Sequence, residues 1–181
     1  MNPLDKYYPL IGKVVVEFQD LEFALNIMLT ALLKEDPNVV MALAVTLPFA
    51  KKLDVVKSIA PFKIRDVPLL DQLDGLIQKM TEAEECRNRI VHAAWIRSTA
   101  VDEVFYHKPR TSRKHGMKNG GIRRCSVVEV ETVVTSIQGA KTHLFRFCAL
   151  LEERNVIQTR MFGAINGKNM GNSQAGGTRH Q

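Results

Sequence analysis

Cysteine is scarce in this chain of 181 residues: only Cys86, Cys125 and Cys148 carry thiols. They form no CxxC pair and no zinc pattern with the histidines, which argues against a disulfide scaffold or a metal-stapled fold. Free thiols in a reducing cytoplasm are the expectation. Long apolar runs are missing too. The first of any length, Phe23 to Leu33, is too short to span a bilayer and follows Glu17, Asp20 and Glu22 rather than basic residues. Neither a membrane span nor a secretory leader is therefore expected. His92, His107, His115, His143 and His180 show no zinc spacing and no Glu-x-x-His, so no metal or other cofactor is expected. Gly120-Gly121 lacks the Lys-Ser/Thr that follows a phosphate-binding glycine loop. No serine or cysteine stands out as a nucleophile, and Cys86, although beside Arg87, reads as a core thiol. What is present is ordinary for a soluble globular protein: 45% hydrophobic residues, a mean hydropathy of −0.10, and length enough for one domain with a sizeable core.

Acidic residues are also absent from one whole segment. Val104 to Val128 contains none, yet holds Lys108, Arg110, Arg113, Lys114, Lys118, Arg123 and Arg124. Without those seven, 18 basic residues remain against 19 acidic ones, a net of −1, so the chain's +6 belongs to this segment. Concentrated positive charge suits a polyanion such as RNA, because neutralising phosphates releases condensed counterions. The plain alternative is a solvated loop kept soluble by its lysines and arginines.

Apolar spacing gives the architecture. Met1 to Pro9 reads as a lead-in, with Tyr7 and Tyr8 over the start of the helices. Ile11, Val14, Val15, Phe18, Leu21, Leu25, Met28, Leu29 and Leu32 repeat at helical intervals over Leu10–Lys34, with Lys13, Glu17, Asp20 and Asn26 on the other face. Asp36-Pro37-Asn38 breaks that helix and suits the first turn of the next. A second helical region runs from Val39 to about Phe62, and Pro48 predicts a kink or two shorter helices there. Pro61 and Asp66-Val67-Pro68 mark the next connection. After Pro68 a third helix carries Leu69, Leu73, Leu76, Ile77, Met80, Ala83 and Ile90 to about Ala94.

Trp95 to His107 loses the helical stripe and reads as extended chain or a strand. The basic segment follows, with Pro109, Gly116 and Asn119-Gly120-Gly121 as turn signals, and Ile122–Cys125 pairs back as half of an irregular hairpin. Ser126 and Glu129 form a capping box for a last long helix to about Arg154, in which Gly139 is a weak point. The fold expected is all-α in the main: a four- to five-helix antiparallel bundle with a basic, β-hairpin-like insertion at about 96–125, before the last long helix. It makes one domain over 1–162, followed by a glycine- and polar-rich tail over 163–181 that is expected to be disordered.

Met80 to Ile96 (MTEAEECRNRIVHAAWI) is the unusual stretch, with three glutamates, two arginines, an asparagine and a histidine on an apolar helical pattern. Asn88 and His92 are one turn apart on one face. Arg87 lies five positions before His92, about 140° around the helix. Its guanidinium therefore shares a pocket with His92 only through its long side chain or across a second copy. Glu84, Glu85, Arg87 and Arg89 read equally as a solvated face with ordinary ion pairs. A lone histidine near a helix C-terminus often complements the dipole.

Arg87-Asn88-Arg89-Ile90-Val91-His92 resembles the R-x4-H signature of the HEPN superfamily, including the asparagine directly after the arginine. In that superfamily the motif sits near the end of a helix within a helical bundle. The bundle similarity spans about Leu10 to Arg154. The resemblance implies a metal-independent endoribonuclease of the toxin–antitoxin, phage-defence or RNA-processing kind, in which two R-x4-H helices line one cleft of a homodimer. It implies His92 as general acid or base, Arg87 as the cation that holds the phosphate, Asn88 as the residue that orients them, and a 2′,3′-cyclic phosphate product. An antitoxin or inhibitor protein is a further partner it allows. Where some HEPN toxins carry a tyrosine two residues after the histidine, this chain has Ala94, which counts against control by nucleotidylation there.

Trp95 is a candidate for base stacking, or for core or dimer interface. Phe105 and Tyr106 together form a candidate stacking platform for single-stranded RNA. The competing function is a non-catalytic HEPN-like module that binds nucleic acid or protein, with Arg87 and His92 serving its dimer interface.

Overall fold

The structure, a computed structural model, describes residues 2–98, 103–107, 110–112, 116–118 and 121–158. It is mostly helical, with a small antiparallel sheet. After a 3-10 turn at Pro3–Lys6 come α1 (Tyr8–Leu33), α2 (Pro37–Ala44), α3 (Phe49–Lys63) and α4 (Val67–Val91). Strands β1 (Ala94–Arg97), β2 (Val104–His107), β3 (Arg110–Ser112), β4 (Gly116–Lys118) and β5 (Ile122–Cys125) precede α5 (Val127–Glu153).

Local chemistry accounts for the boundaries. Asp36 caps α2 by accepting from the Asn38 amide, with Pro37 in the first turn, where its missing N–H costs nothing. Pro48 separates two helices and stands at the N-cap of α3. Asp66 caps α4, and Ser126 with Glu129 closes a reciprocal capping box on α5. Pro61 does not mark the connection: it lies inside the last turns of α3, which ends at Lys63. α4 also stops earlier than its apolar pattern suggests, at Val91, with His92 as its C-cap. Gly139 leaves α5 continuous.

Helix α1 is the element on which the others pack, mainly α5, with α3, α4 and α2 also against it. From Ala24 to Leu29 it is buried all round. Asn26 therefore belongs to the core and not to a solvent face, and its Oδ1 is buried without a hydrogen-bond partner among the described residues. The α1–α5 contact is tied at its rim by Lys141, which reaches Glu17 at 2.7 Å and Asp20 at 3.0 Å. Between α1 and α3, Lys52 is only 2% exposed and pairs with Glu22 at 2.7 Å. None of the described helices is long and apolar enough to cross a membrane.

The sheet has the order β1-β2-β5, all antiparallel, and β3 and β4 form a separate two-stranded hairpin. Ile122–Cys125 does pair back on β2, with Val104 opposite Cys125. Those two residues are buried and join the sheet to the helical core. The Tyr7 hydroxyl donates to the Cys125 carbonyl at 2.8 Å, while Tyr8 is exposed. Trp95 stacks between Tyr7 (5.6 Å) and Tyr106 (6.0 Å) and donates its Nε1–H to the Ile90 carbonyl at the end of α4. The lone tryptophan thus pins β1 to the helix carrying the arginine and histidine.

Candidate active site

The last turn of α4 and its C-cap bring Arg87, Asn88 and His92 together within one chain. Arg87 Nη1 donates to Asn88 Oδ1 at 2.8 Å and lies 3.1 Å from His92 Nε2. A guanidinium has donors only, so Nε2 is the acceptor and the ring proton sits on Nδ1. Two effects close the angular gap between positions 87 and 92. His92, with φ −100° and ψ 14°, has left the helix, so the regular angular step per residue no longer sets where its side chain goes. Arg87 supplies the remaining reach. A second copy is not needed to unite the pair.

Phe18, on α1, fixes the direction of that reach. The Arg87 guanidinium carbon is 5.1 Å from the Phe18 ring centroid, a cation–π distance. Phe18 is itself buried and packed on Phe49 of α3 at 4.8 Å. Arg87 Nε is buried without a hydrogen-bond partner among the described residues. Leaving a charged donor unsatisfied is costly, so this arginine is held where solvation alone would not put it. Phe18 carried no functional signal in the sequence: it reads as one core position of α1, and only the packing of α1 on α4 shows its second contact.

Glu84, one turn before Arg87, is half-buried, and burial raises its carboxyl pKa although the Arg87 charge works against this. It makes no ion pair with Arg87 within 4 Å among the described residues. Arg89 points elsewhere and places Nη2 3.4 Å from Cys86 Sγ. Cys86 is only partly buried and packs against the edge of the core. Cys125 and Cys148 are the buried ones, and burial pushes them up to about 11 and about 12, so neither is a thiolate nucleophile.

The basic residues separate. Arg123 and Arg124 lie on β5 and are exposed, and Arg124 meets Glu103 at 3.0 Å. Arg110 and Lys118 are backbone partners in the β3–β4 ladder, a sheet separate from β5. Lys108, Arg113, Lys114 and the 163–181 tail lie outside the described residues. Phe105 and Tyr106 do not form one platform, because successive strand residues point to opposite faces. Tyr106 turns inward onto Trp95.

Two surface clefts, of about 510 Å³ around Phe62–Asp66 and about 350 Å³ between α4 and α5 near Lys79 and His143, include neither Arg87 nor His92. The candidate site is thus an open corner of the surface, with His92 exposed and Arg87 half-covered. Among the described residues, no group of three or more His, Cys, Asp or Glu side chains is placed to hold a metal ion. Compared with protein-family models, curated proteins and solved structures, the chain matches none.

Proposed function

We propose that this protein is an endoribonuclease of HEPN type, an antiparallel helical bundle that cuts RNA without a metal ion. The observation that carries the reading is the convergence of Arg87 Nη1 on both Asn88 Oδ1 and His92 Nε2 at the exposed end of α4. It supplies, within hydrogen-bond reach of one point, a fixed cation and an imidazole, the side chain most often used for proton transfer.

The chemistry follows from what each group can do. An RNA phosphate arriving at the corner takes the guanidinium as its counter-ion, through charge-assisted hydrogen bonds stronger than the bond to a neutral imidazole. That exchange frees the His92 Nε2 lone pair. His92 then accepts the proton of the neighbouring 2′-hydroxyl as its oxygen attacks phosphorus. Arg87 holds the negative charge that grows on the phosphorane oxygens, where a preorganised donor contributes most. The bond to the 5′-oxygen breaks, leaving a 2′,3′-cyclic phosphate and a 5′-hydroxyl. Asn88 keeps the empty arginine pointed at the histidine. A homodimer through the α4 ends would turn two open corners into one cleft, and the second copy's imidazole would then protonate the leaving oxygen. The Val104–Val128 cations draw RNA towards the corner. A toxin or phage-defence setting in the cytoplasm, with a protein antitoxin or inhibitor, suits such an activity.

The test is cleavage of single-stranded RNA by purified protein in EDTA, with product ends identified by mass. Cyclic phosphate ends are expected from the wild type, and none from a folded His92→Ala protein. Equal cleavage by His92→Ala would sink the assignment. Binding without cleavage by the wild type would instead favour a non-catalytic RNA-binding module.

A further inference from the structure

The three-stranded sheet is apolar on both faces. Paired residues of an antiparallel ladder share a face, and successive residues alternate. The rows Trp95–Tyr106–Arg123 and Arg97–Val104–Cys125 include the buried and aromatic-stacked side chains and make the inner face. The rows Ala94–His107–Ile122 and Ile96–Phe105–Arg124 therefore make the outer one. On it Ile122 is 64% exposed, Ile96 is 39% exposed, and Phe105 stands half-covered between Ile96 and Arg124. The free side of an antiparallel sheet ordinarily turns polar. This one presents an aromatic ring between an aliphatic side chain and a guanidinium.

We propose that this outer face binds single-stranded RNA, with bases stacked on Phe105 and phosphates held by Arg124, its neighbour in the ladder. Charge favours that occupant over a second copy of the chain. Arg124 stands on this face, in a segment, Val104–Val128, that carries no carboxylate, so a two-fold partner would bring a second such segment against the first, whereas a polyanion is drawn to it. A single strand is favoured over a duplex, because the ring can meet only a base whose face is not already stacked. The ion pair of Arg124 with Glu103 does not oppose this. Arg124 is 69% exposed there, and such a pair is worth little in water and exchanges readily for phosphate. β1 starts two residues after His92, so a strand lying on the platform leads on to the candidate site. The proposal rests on the reading of RNA as ligand but not on cleavage.

Fluorescence anisotropy on the full chain tests it, with a fluorescein-labelled decauridine methylated at every 2′-oxygen, alone or annealed to its complement. The modified strand has no 2′-hydroxyl with which to be cut, so binding is read apart from cleavage. The single strand is expected to bind at least about tenfold more tightly than the duplex. Phe105→Ser should weaken it by about fivefold or more, and Phe105→Tyr should keep it, because one stacked base contributes on this scale. Arg124→Gln should flatten the salt dependence, which Phe105→Ser leaves unchanged. Equal binding of strand and duplex, or wild-type affinity in Phe105→Ser, overturns the platform. So does a dimer that Phe105→Ser dissociates without changing RNA affinity. Loss of the platform with His92-dependent cleavage intact leaves the nuclease reading standing, and retained Phe105-dependent binding without cleavage removes only the nuclease.

Discussion

Arg87 and His92, five residues apart and on different faces of an ideal helix, lie 3.1 Å from each other in a single chain. The contact is made where α4 ends, and it leaves the imidazole nitrogen that would act as base occupied by its own arginine. A site of this kind is closed to chemistry until something more anionic than a neutral imidazole claims the guanidinium.

Arg87→Lys tests reach and shape together. A lysine ends one atom shorter, and its ammonium has no flat face to lie on Phe18. Cleavage is expected to fall at least about tenfold in kcat, within the range seen when a transition-state donor is lost. The melting temperature should change little. A lysine variant as active as wild type would mean that only a nearby positive charge matters.

Asn88→Asp puts a carboxylate where the Oδ1 amide oxygen now takes Arg87 Nη1 at 2.8 Å. The pair becomes charge-assisted, and the guanidinium is no longer available to phosphate. The expected result is an increase in KM for RNA of about tenfold, roughly the 1.4 kcal/mol by which a charged hydrogen bond exceeds a neutral one. Titration of cleavage rate against RNA concentration reads it, and an unchanged KM would remove Asn88 from the site.

The Glu22–Lys52 pair under α3 should respond asymmetrically. Lys52 is 2% exposed and Glu22 23%. Removing the carboxylate with Glu22→Gln strands a buried ammonium, at a cost of about 3 kcal/mol. Lys52→Met leaves a carboxylate that water still reaches and should cost less than half as much. Urea unfolding measures both, and equal losses would argue against burial as the cause.

The Glu17–Lys141 pair gives a pH signature. The hydrogen bond from Lys141 leads the effects that hold the Glu17 carboxyl below its ordinary value. For Lys141, burial works downward but the bonds to Glu17 and Asp20 outweigh it and raise the ammonium. A lowered carboxyl stabilises the fold above its unfolded value, near 4.3, and that stability disappears as pH falls through the folded value. A raised ammonium stabilises below its unfolded value, near 10.4, and loses this as pH rises through the folded one. Lys141→Met should therefore cost about 0.5–1 kcal/mol at pH 7, and the gap to wild type should close as acid protonates the Glu17 carboxylate. A gap that persists in acid would assign the loss to packing.

Much of this protein was legible one residue at a time, because the relevant forces are local. Asp36, Asp66 and the Ser126–Glu129 box mark helix ends through bonds to amides no more than three residues away, and Pro48 marks one through its ring-fixed backbone. The 3.6-residue repeat of Leu69, Leu73, Leu76, Ile77 and Met80 writes α4 plainly for the same reason. Pro61 misleads because α3 runs on past it to Lys63, although a proline there cannot donate to the carbonyl one turn back. The motif itself, Arg87, Asn88 and His92, was visible in order and spacing.

What no local rule contains is where those side chains meet their neighbours. That Asn26 is core depends on α3, α4 and α5 all surrounding α1. That Phe18 carries Arg87, that Lys52 is buried against Glu22, and that Phe105 and Tyr106 part company across the sheet all come from contacts between elements distant in sequence. The angle between positions 87 and 92 forbids their contact on an ideal helix. It is the helix end at Val91, fixed by β1 turning back and Trp95 locking onto the Ile90 carbonyl, that brings the guanidinium to the imidazole.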